Sequence, residues 1–138
     1  VDAREEDLSL IDDPILQKRT RHAYTENERV KEAVKSLNKS DLNSFGKLMH
    51  ASHLSLQNDF EVSCSELNHI VEALMSEPSC LGARMTGAGF GGCCVALVKT
   101  ESVDAVSQKV ASSYTKAFGF APSFYPCIPS DGVHEIAL

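Results

Sequence analysis

The chain has 138 residues, enough for one domain with a core of its own. Hydrophobic residues make up 43% and charged residues 23%, as in an ordinary globular domain, and the formal net charge of −6 argues against the clustered cationic surface that a nucleic acid or an anionic membrane requires. No apolar run approaches the roughly 20 residues that span a bilayer, and the five cysteines lack metal-ligand spacing, so they are expected to be free thiols in a reducing cytoplasm.

Residues 1–14 read as a lead-in, acidic at Glu5-Glu6-Asp7 and closing at Asp12-Asp13-Pro14. It holds no signal-peptide core, and the chain does not open on Met, so a piece of a longer protein is expected. The domain proper is placed at 15–138. Ala23, Val30, Val34 and Leu37 recur at helical spacing and predict a long amphipathic helix over 15–38, broken at Asn38-Lys39-Ser40. Ser40 or Asp41 caps a second helix, with an apolar stripe of Leu42, Phe45, Met49 and Leu56. Ser63-Cys64-Ser65-Glu66 has the form of a capping box, in which serine and glutamate satisfy two backbone N–H groups reciprocally. Leu67, Ile70, Val71 and Leu74 then form a core stripe, which Pro78 ends.

Two segments with strand character, 83–86 and 93–98, flank a glycine-rich loop. Ser102 can cap a fourth helix carrying Val103, Val106, Val110 and Ala117 on one face, and Gly119 is a natural C-terminal stop. The tail offers two short candidate strands, 123–128 and 133–138, joined by the turn chemistry of Pro129-Ser130-Asp131-Gly132. The order is helix, helix, helix, strand, strand, helix, strand, strand. It predicts an α+β fold with helices layered on an antiparallel sheet. Both faces of 93–98 are apolar, so each is expected to be covered.

The stretch from Gly82 to Val98 holds five of the eight glycines, and four of them fall within six positions. Gly87, Gly89 and Gly92 match G-x-G-x-x-G, but a strand follows where a dinucleotide site needs a helix. No Lys-Ser/Thr follows either, so this is not a Walker loop. Two readings stay open: a nest of backbone N–H groups for an anion, or a tight turn between closely packed elements.

Gly82-Ala83-Arg84-Met85-Thr86-Gly87-Ala88-Gly89-Phe90-Gly91-Gly92-Cys93 resembles the third motif of the galactokinases, within the GHMP kinase superfamily. Ser52-His53-Leu54-Ser55-Leu56, continuing to Asp59-Phe60-Glu61-Val62-Ser63-Cys64-Ser65-Glu66-Leu67, and Arg19-Thr20-Arg21-His22 are similar to the same family. Together they cover nearly the whole chain, in order. Phe60 stands where a tyrosine is common and Ser65 where a proline is common.

The resemblance implies a GHMP kinase C-terminal domain, a four-stranded antiparallel, ferredoxin-like sheet backed by helices. In that family the third motif lines the active-site cleft, which makes Gly87, Ala88, Gly89, Phe90, Gly91 and Gly92 the candidate phosphate-cleft loop and Arg84 a candidate anion contact. The implied parent, cytoplasmic, transfers the γ-phosphoryl of MgATP to the C1 hydroxyl of galactose. A Gly-Arg-Val-Asn-type first motif, the glycine-serine phosphate loop of the second, and the base aspartate with its partner arginine are absent here. No catalytic or metal-binding residue is therefore assigned. ATP and Mg²⁺ are expected mainly on an N-terminal GHMP domain of the same enzyme, and this chain alone is expected to be inactive. A kinase of a related sugar (N-acetylgalactosamine, arabinose) and a non-catalytic sugar sensor remain alternatives.

The other chemistry-bearing residues have plainer readings. His50 and His53 lie three apart on a helix and are expected at its surface or bonding a cap, since a metal needs three or four ligands. Asp59, Glu61 and Glu66 are expected to cap and to complement a helix dipole. Lys18, Arg19, Arg21 and His22 are expected on a solvated helix face, with a phosphate or domain contact as the minority reading. Arg84 is expected to be in a salt bridge, narrowly ahead of the anion contact.

Overall fold

A computed structural model describes residues 5–130 and Gly132, without the side chain of Glu5. A 3-10 turn, Glu5–Leu10, precedes helix α1 (Pro14–Asn38) and helix α2 (Leu42–Ser55). A π-helical turn, Leu56–Phe60, leads to α3 (Ser65–Met75), strands β1 (Cys80–Thr86) and β2 (Cys93–Val98), a 3-10 turn (Thr100–Ser102) and α4 (Val103–Phe118).

Local chemistry sets most of these boundaries. The Asp13 carboxylate accepts the backbone N–H groups of Ile15 (2.8 Å) and Leu16 (3.2 Å), and Pro14 occupies the first turn, where its missing N–H is harmless. Asp41 starts α2 by accepting the Ser44 N–H at 3.0 Å. Gly119 closes α4 in the left-handed conformation, φ 82°, donating its N–H to Thr115 O. In the described part of the lead-in Leu8 is buried, and the Gln17 side-chain amide donates to its carbonyl at 3.1 Å.

β1 and β2 form an antiparallel hairpin in which Ala83 pairs with Ala96, Arg84 with Val95, Met85 with Cys94 and Thr86 with Cys93. Paired residues share a face. Ala83 joins Val71, Leu74, Cys80, Val106 and Val110 in the core, with Cys94 and Ala96 packed against it, so α3 and α4 cover this face. On the other face Val95 remains exposed. Helix α2 lies against β1 at backbone contact. A Cβ on Gly46 would sit 2.0 Å from Leu81 O, and one on Gly82 would sit 2.2 Å from Gly46 O, so only glycine fits at this crossing.

Three expectations change. The sheet has two strands among the described residues, and 121–130 are irregular, so 123–128 does not form a strand. Pro122, Pro126 and Pro129 remove three backbone donors from this stretch, and Tyr125 and Ile128 are exposed, leaving neither a ladder nor a buried face to hold it extended. The candidate strand 133–138 lies outside the described residues. The capping box does not form either. Cys64 is the residue before α3, without a side-chain cap, while the Ser63 hydroxyl donates to Asn68 Oδ1 at 2.6 Å and the Ser65 hydroxyl to Glu66 Oε2 at 2.8 Å. Ser102 likewise precedes α4 without a side-chain cap bond, because the 3-10 turn already winds into the helix.

Candidate functional site

Residues 87–92 form the tip of the β1–β2 hairpin and line, with Thr86 and Cys93, a concavity of about 610 Å³ open to solvent. Their backbone turns through positive φ. Gly91, at φ 136°, occupies a region closed to side chains. Gly89, at φ 87°, combines left-handed backbone with close approach: a Cβ there would lie 2.2 Å from Val62 O. Next to it Phe90, a non-glycine at φ 60°, donates its N–H to that carbonyl at 2.7 Å while the residue as a whole stays 75% exposed. The glycines thus serve both readings left open by the sequence, a tight turn and a backbone-lined concavity.

Two polar ties hold β1 beneath the loop. The Met85 N–H, on the strand edge away from β2, donates to His53 Nδ1 of α2 at 3.3 Å. His53 is 1% exposed, so it is a core residue rather than the surface or cap histidine expected. Burial pushes its imidazole pKa down and neighbouring His50 adds to this, against the raising effect of the Asn68 amide. The ring is therefore neutral with Nδ1 as acceptor, as the bond from Met85 requires.

The second tie is Arg84. Its Nε donates to Met85 O (3.0 Å) and its guanidinium pairs with Glu26 Oε1 of α1 at 3.2 Å. Glu26 also receives Arg29 at 2.7 Å and the Ser52 hydroxyl at 2.6 Å. Burial pushes the Glu26 carboxyl up. The hydrogen bonds from Ser52 and Arg29 and the charges of Arg29 and Arg84 outweigh it, leaving the pKa below the ordinary glutamate value. Only Arg29 lies near Glu26 in sequence; its other two partners, Ser52 and Arg84, lie 26 and 58 residues away, so the local sequence did not point to this role.

The basic and acidic groups that the sequence kept apart meet one another. Glu61 bridges Lys18 (2.9 Å) and Arg19 (2.6 Å), and Asp59 faces Arg21 at 3.5 Å. His22 bonds the Ser55 hydroxyl at 3.0 Å and stacks on Phe60 with ring centroids 4.7 Å apart. Asp59 and Glu61 therefore bind α1 instead of capping a helix, and the α1 cations are paired rather than simply solvated. Glu66 does sit in the first turn of α3.

His50 and His53 gather no further ligands: among the described residues no group of three or more His, Cys, Asp or Glu side chains could hold a metal ion. All five cysteines are free thiols. Burial, with Cys64 and Cys93 nearby, pushes Cys94 up to about 12, so it is inert, while Cys93 is exposed at the end of the loop. No helix among the described residues is long and apolar enough to cross a membrane.

The arrangement resembles known proteins along most of its length. A family model described as GHMP kinases C terminal matches residues 32–116. A galactokinase of Clostridium beijerinckii is 48% identical over 132 residues, covering 96% of this chain and 34% of that protein. One from Enterococcus faecalis is 48% identical over 128 residues, covering 93% of this chain and 33% of that protein. The chain thus spans about a third of the length of the curated relatives it matches. The crystal structure of Lactococcus lactis galactokinase complexed with galactose superposes with a TM-score of 0.85 at 43% identity, covering 89% of this chain and 33% of that one. Mevalonate kinase of L. major, at 24% identity and a TM-score of 0.56 over 86% of this chain and 36% of that one, shares the fold.

Proposed function

The chain belongs to the GHMP kinase C-terminal family, and from that premise we propose that it is the C-terminal part of a galactokinase, an enzyme that moves the γ-phosphoryl of ATP to the C1 hydroxyl of galactose. On this reading residues 15–138 form the domain and 1–14 its lead-in. The hairpin then supplies two strands of a four-stranded, ferredoxin-like sheet. The observation that carries the reading is the loop at 87–92, with positive φ at every residue but Ala88, on an open concavity at the end of the hairpin.

Phosphoryl transfer makes little covalent demand on the protein; it needs positioning and donors fixed where negative charge develops. Backbone N–H groups of a glycine loop are such donors and need no reorganisation during the reaction. The loop is suited to the phosphates of ATP, and Arg84 at its foot adds positive charge nearby, tempered by Glu26. We assign no catalytic base and no Mg²⁺ ligand to these residues. Those roles fall to an N-terminal GHMP domain of the same protein, which also completes the sugar site. The free thiols suit a reducing, cytoplasmic setting.

The test is Gly89→Val in the longer protein, which drives a side chain into the Val62 carbonyl. Galactose-dependent ADP release is expected to fall by about 100-fold or more, the penalty typical of misplaced catalytic groups. Undiminished turnover would overturn the reading. A panel of galactose, N-acetylgalactosamine and arabinose identifies the sugar. Sugar and ATP binding without turnover in the unmutated longer protein would favour a sensor. The 138-residue chain by itself is expected to give no turnover in the same coupled assay.

A further inference from the structure

Two motifs that this reading leaves unused, Arg19-Thr20-Arg21-His22 and Asp59-Phe60-Glu61-Val62, converge beside the glycine loop. The π-helical turn Leu56–Phe60 is followed by Glu61 in the left-handed conformation, φ 60°. Such turns interrupt α-helices rarely, and a left-handed glutamate persists only where its surroundings hold it. What this backbone achieves is the placement of one carbonyl. Val62 O accepts the Phe90 N–H at 2.7 Å and sits against Gly89, while Val62 N–H donates back to Leu56 O at 3.0 Å.

The turn is gripped from α1. Arg19 reaches both of its sides, donating to Asp59 O and to Glu61 Oε2 (2.6 Å), and Lys18 takes the other Glu61 oxygen at 2.9 Å. A continuous path therefore runs from α1 through Glu61 and Val62 to Phe90 at the loop tip. Exposed ion pairs of this kind contribute little to global stability, so their effect is expected on the local geometry they fix.

We propose that Arg19 and Glu61 are positioning residues for the glycine loop: by holding the left-handed turn at Glu61 they aim the Val62 carbonyl that anchors Phe90 and Gly89. The structural part of this inference stands on the contacts alone; its kinetic consequence rests on the phosphate-loop reading above.

Amide hydrogen exchange on the 138-residue chain tests the structural part with Arg19→Ala, Glu61→Ala and the double variant. The Phe90 amide is expected to exchange at least about tenfold faster in each single variant. The amides of Val71 and Val110 in the core stay unchanged, and the double variant is no worse than the worse single one, as for residues acting together. Unchanged Phe90 exchange would overturn the proposal, as would parallel acceleration at Val71 and Val110, which reports global unfolding. In the longer protein, Glu61→Ala is expected to raise the KM for ATP by about 10-fold or more with the KM for sugar unchanged; equal shifts in both would argue against loop positioning. If the unmutated longer protein shows no kinase activity, the phosphate-loop reading fails while the exchange experiment still decides this one.

Discussion

Helices α1 and α3 belong to one domain and are held in it by different forces. α1 has 25 residues and buries none of them fully; α3 has 11 and buries Leu67, Val71 and Leu74. Helix α3 packs on the sheet, with its apolar stripe in the core shared with β1 and α4. Helix α1 leaves Val30, Val34 and Leu37 half exposed and is tied to its neighbours by polar bonds: Arg19 and Lys18 to Glu61, His22 to Ser55, Glu26 to Ser52 and Arg84. Length reflects local helix chemistry; burial reflects which face meets the sheet. The short helix is therefore the one on which folding depends, and the long one is where polar geometry is set.

The largest effect that this contrast predicts is at Leu67. Leu67→Ala is expected to lower the unfolding free energy by about 3 kcal/mol, from lost burial and the cavity left behind. Measured by urea denaturation, a loss under ~1 kcal/mol would remove the core role given to α3. Gly82→Ala, which forces a methyl into the Gly46 backbone, is expected to cost about 2 kcal/mol and to shift α2 off β1. A wild-type melting curve for that variant would mean that the crossing has room.

A smaller, pH-dependent effect separates the polar side of the comparison. The folded-state pKa of His53 lies below the ordinary imidazole value of 6.5, chiefly through burial. As pH falls the unfolded chain takes up this proton first, so the contribution of His53 is fully present above about pH 6.5 and is lost as pH drops towards its folded value. His22 is shifted in the same direction, also by burial, and adds to the slope. Protonation also turns Nδ1 from acceptor to donor and breaks the bond from Met85 N–H. His53→Asn is expected to flatten the loss of stability between pH 7 and pH 5, read from urea midpoints; an unchanged slope would place the titration elsewhere. The smallest effect belongs to α1: Val34→Ala, on its exposed stripe, is expected to change stability by no more than about 0.5 kcal/mol. A larger loss would show that α1 is held by apolar packing after all.

Some of the site could be read from the chain. The glycine run announced a loop between two strands, and the hairpin is there with its tip open. Asp41 and Gly119 marked helix ends because a cap is a bond between near neighbours in sequence. The capping box at Ser63 failed on the same scale, since the helix begins one residue too late for Ser63 to cap it. The strand at 123–128 failed because its side chains find no face to bury, and Pro126 within it, with Pro122 and Pro129 on either side, weakens any ladder.

The sequence by itself determined what depends on residues a few positions apart: helix spacing, caps, the glycine turn, and a charge that argues against nucleic acid. Only the tertiary structure decided that His53 is a core acceptor for Met85, that Glu26 lies beside Arg84, and that Lys18 and Arg19 close on Glu61 over 43 and 42 residues. Each of these groups has several chemically acceptable partners in the chain. Which one it meets is fixed by the packing of α1 and α2 around β1, and that packing follows from burial summed over the whole domain.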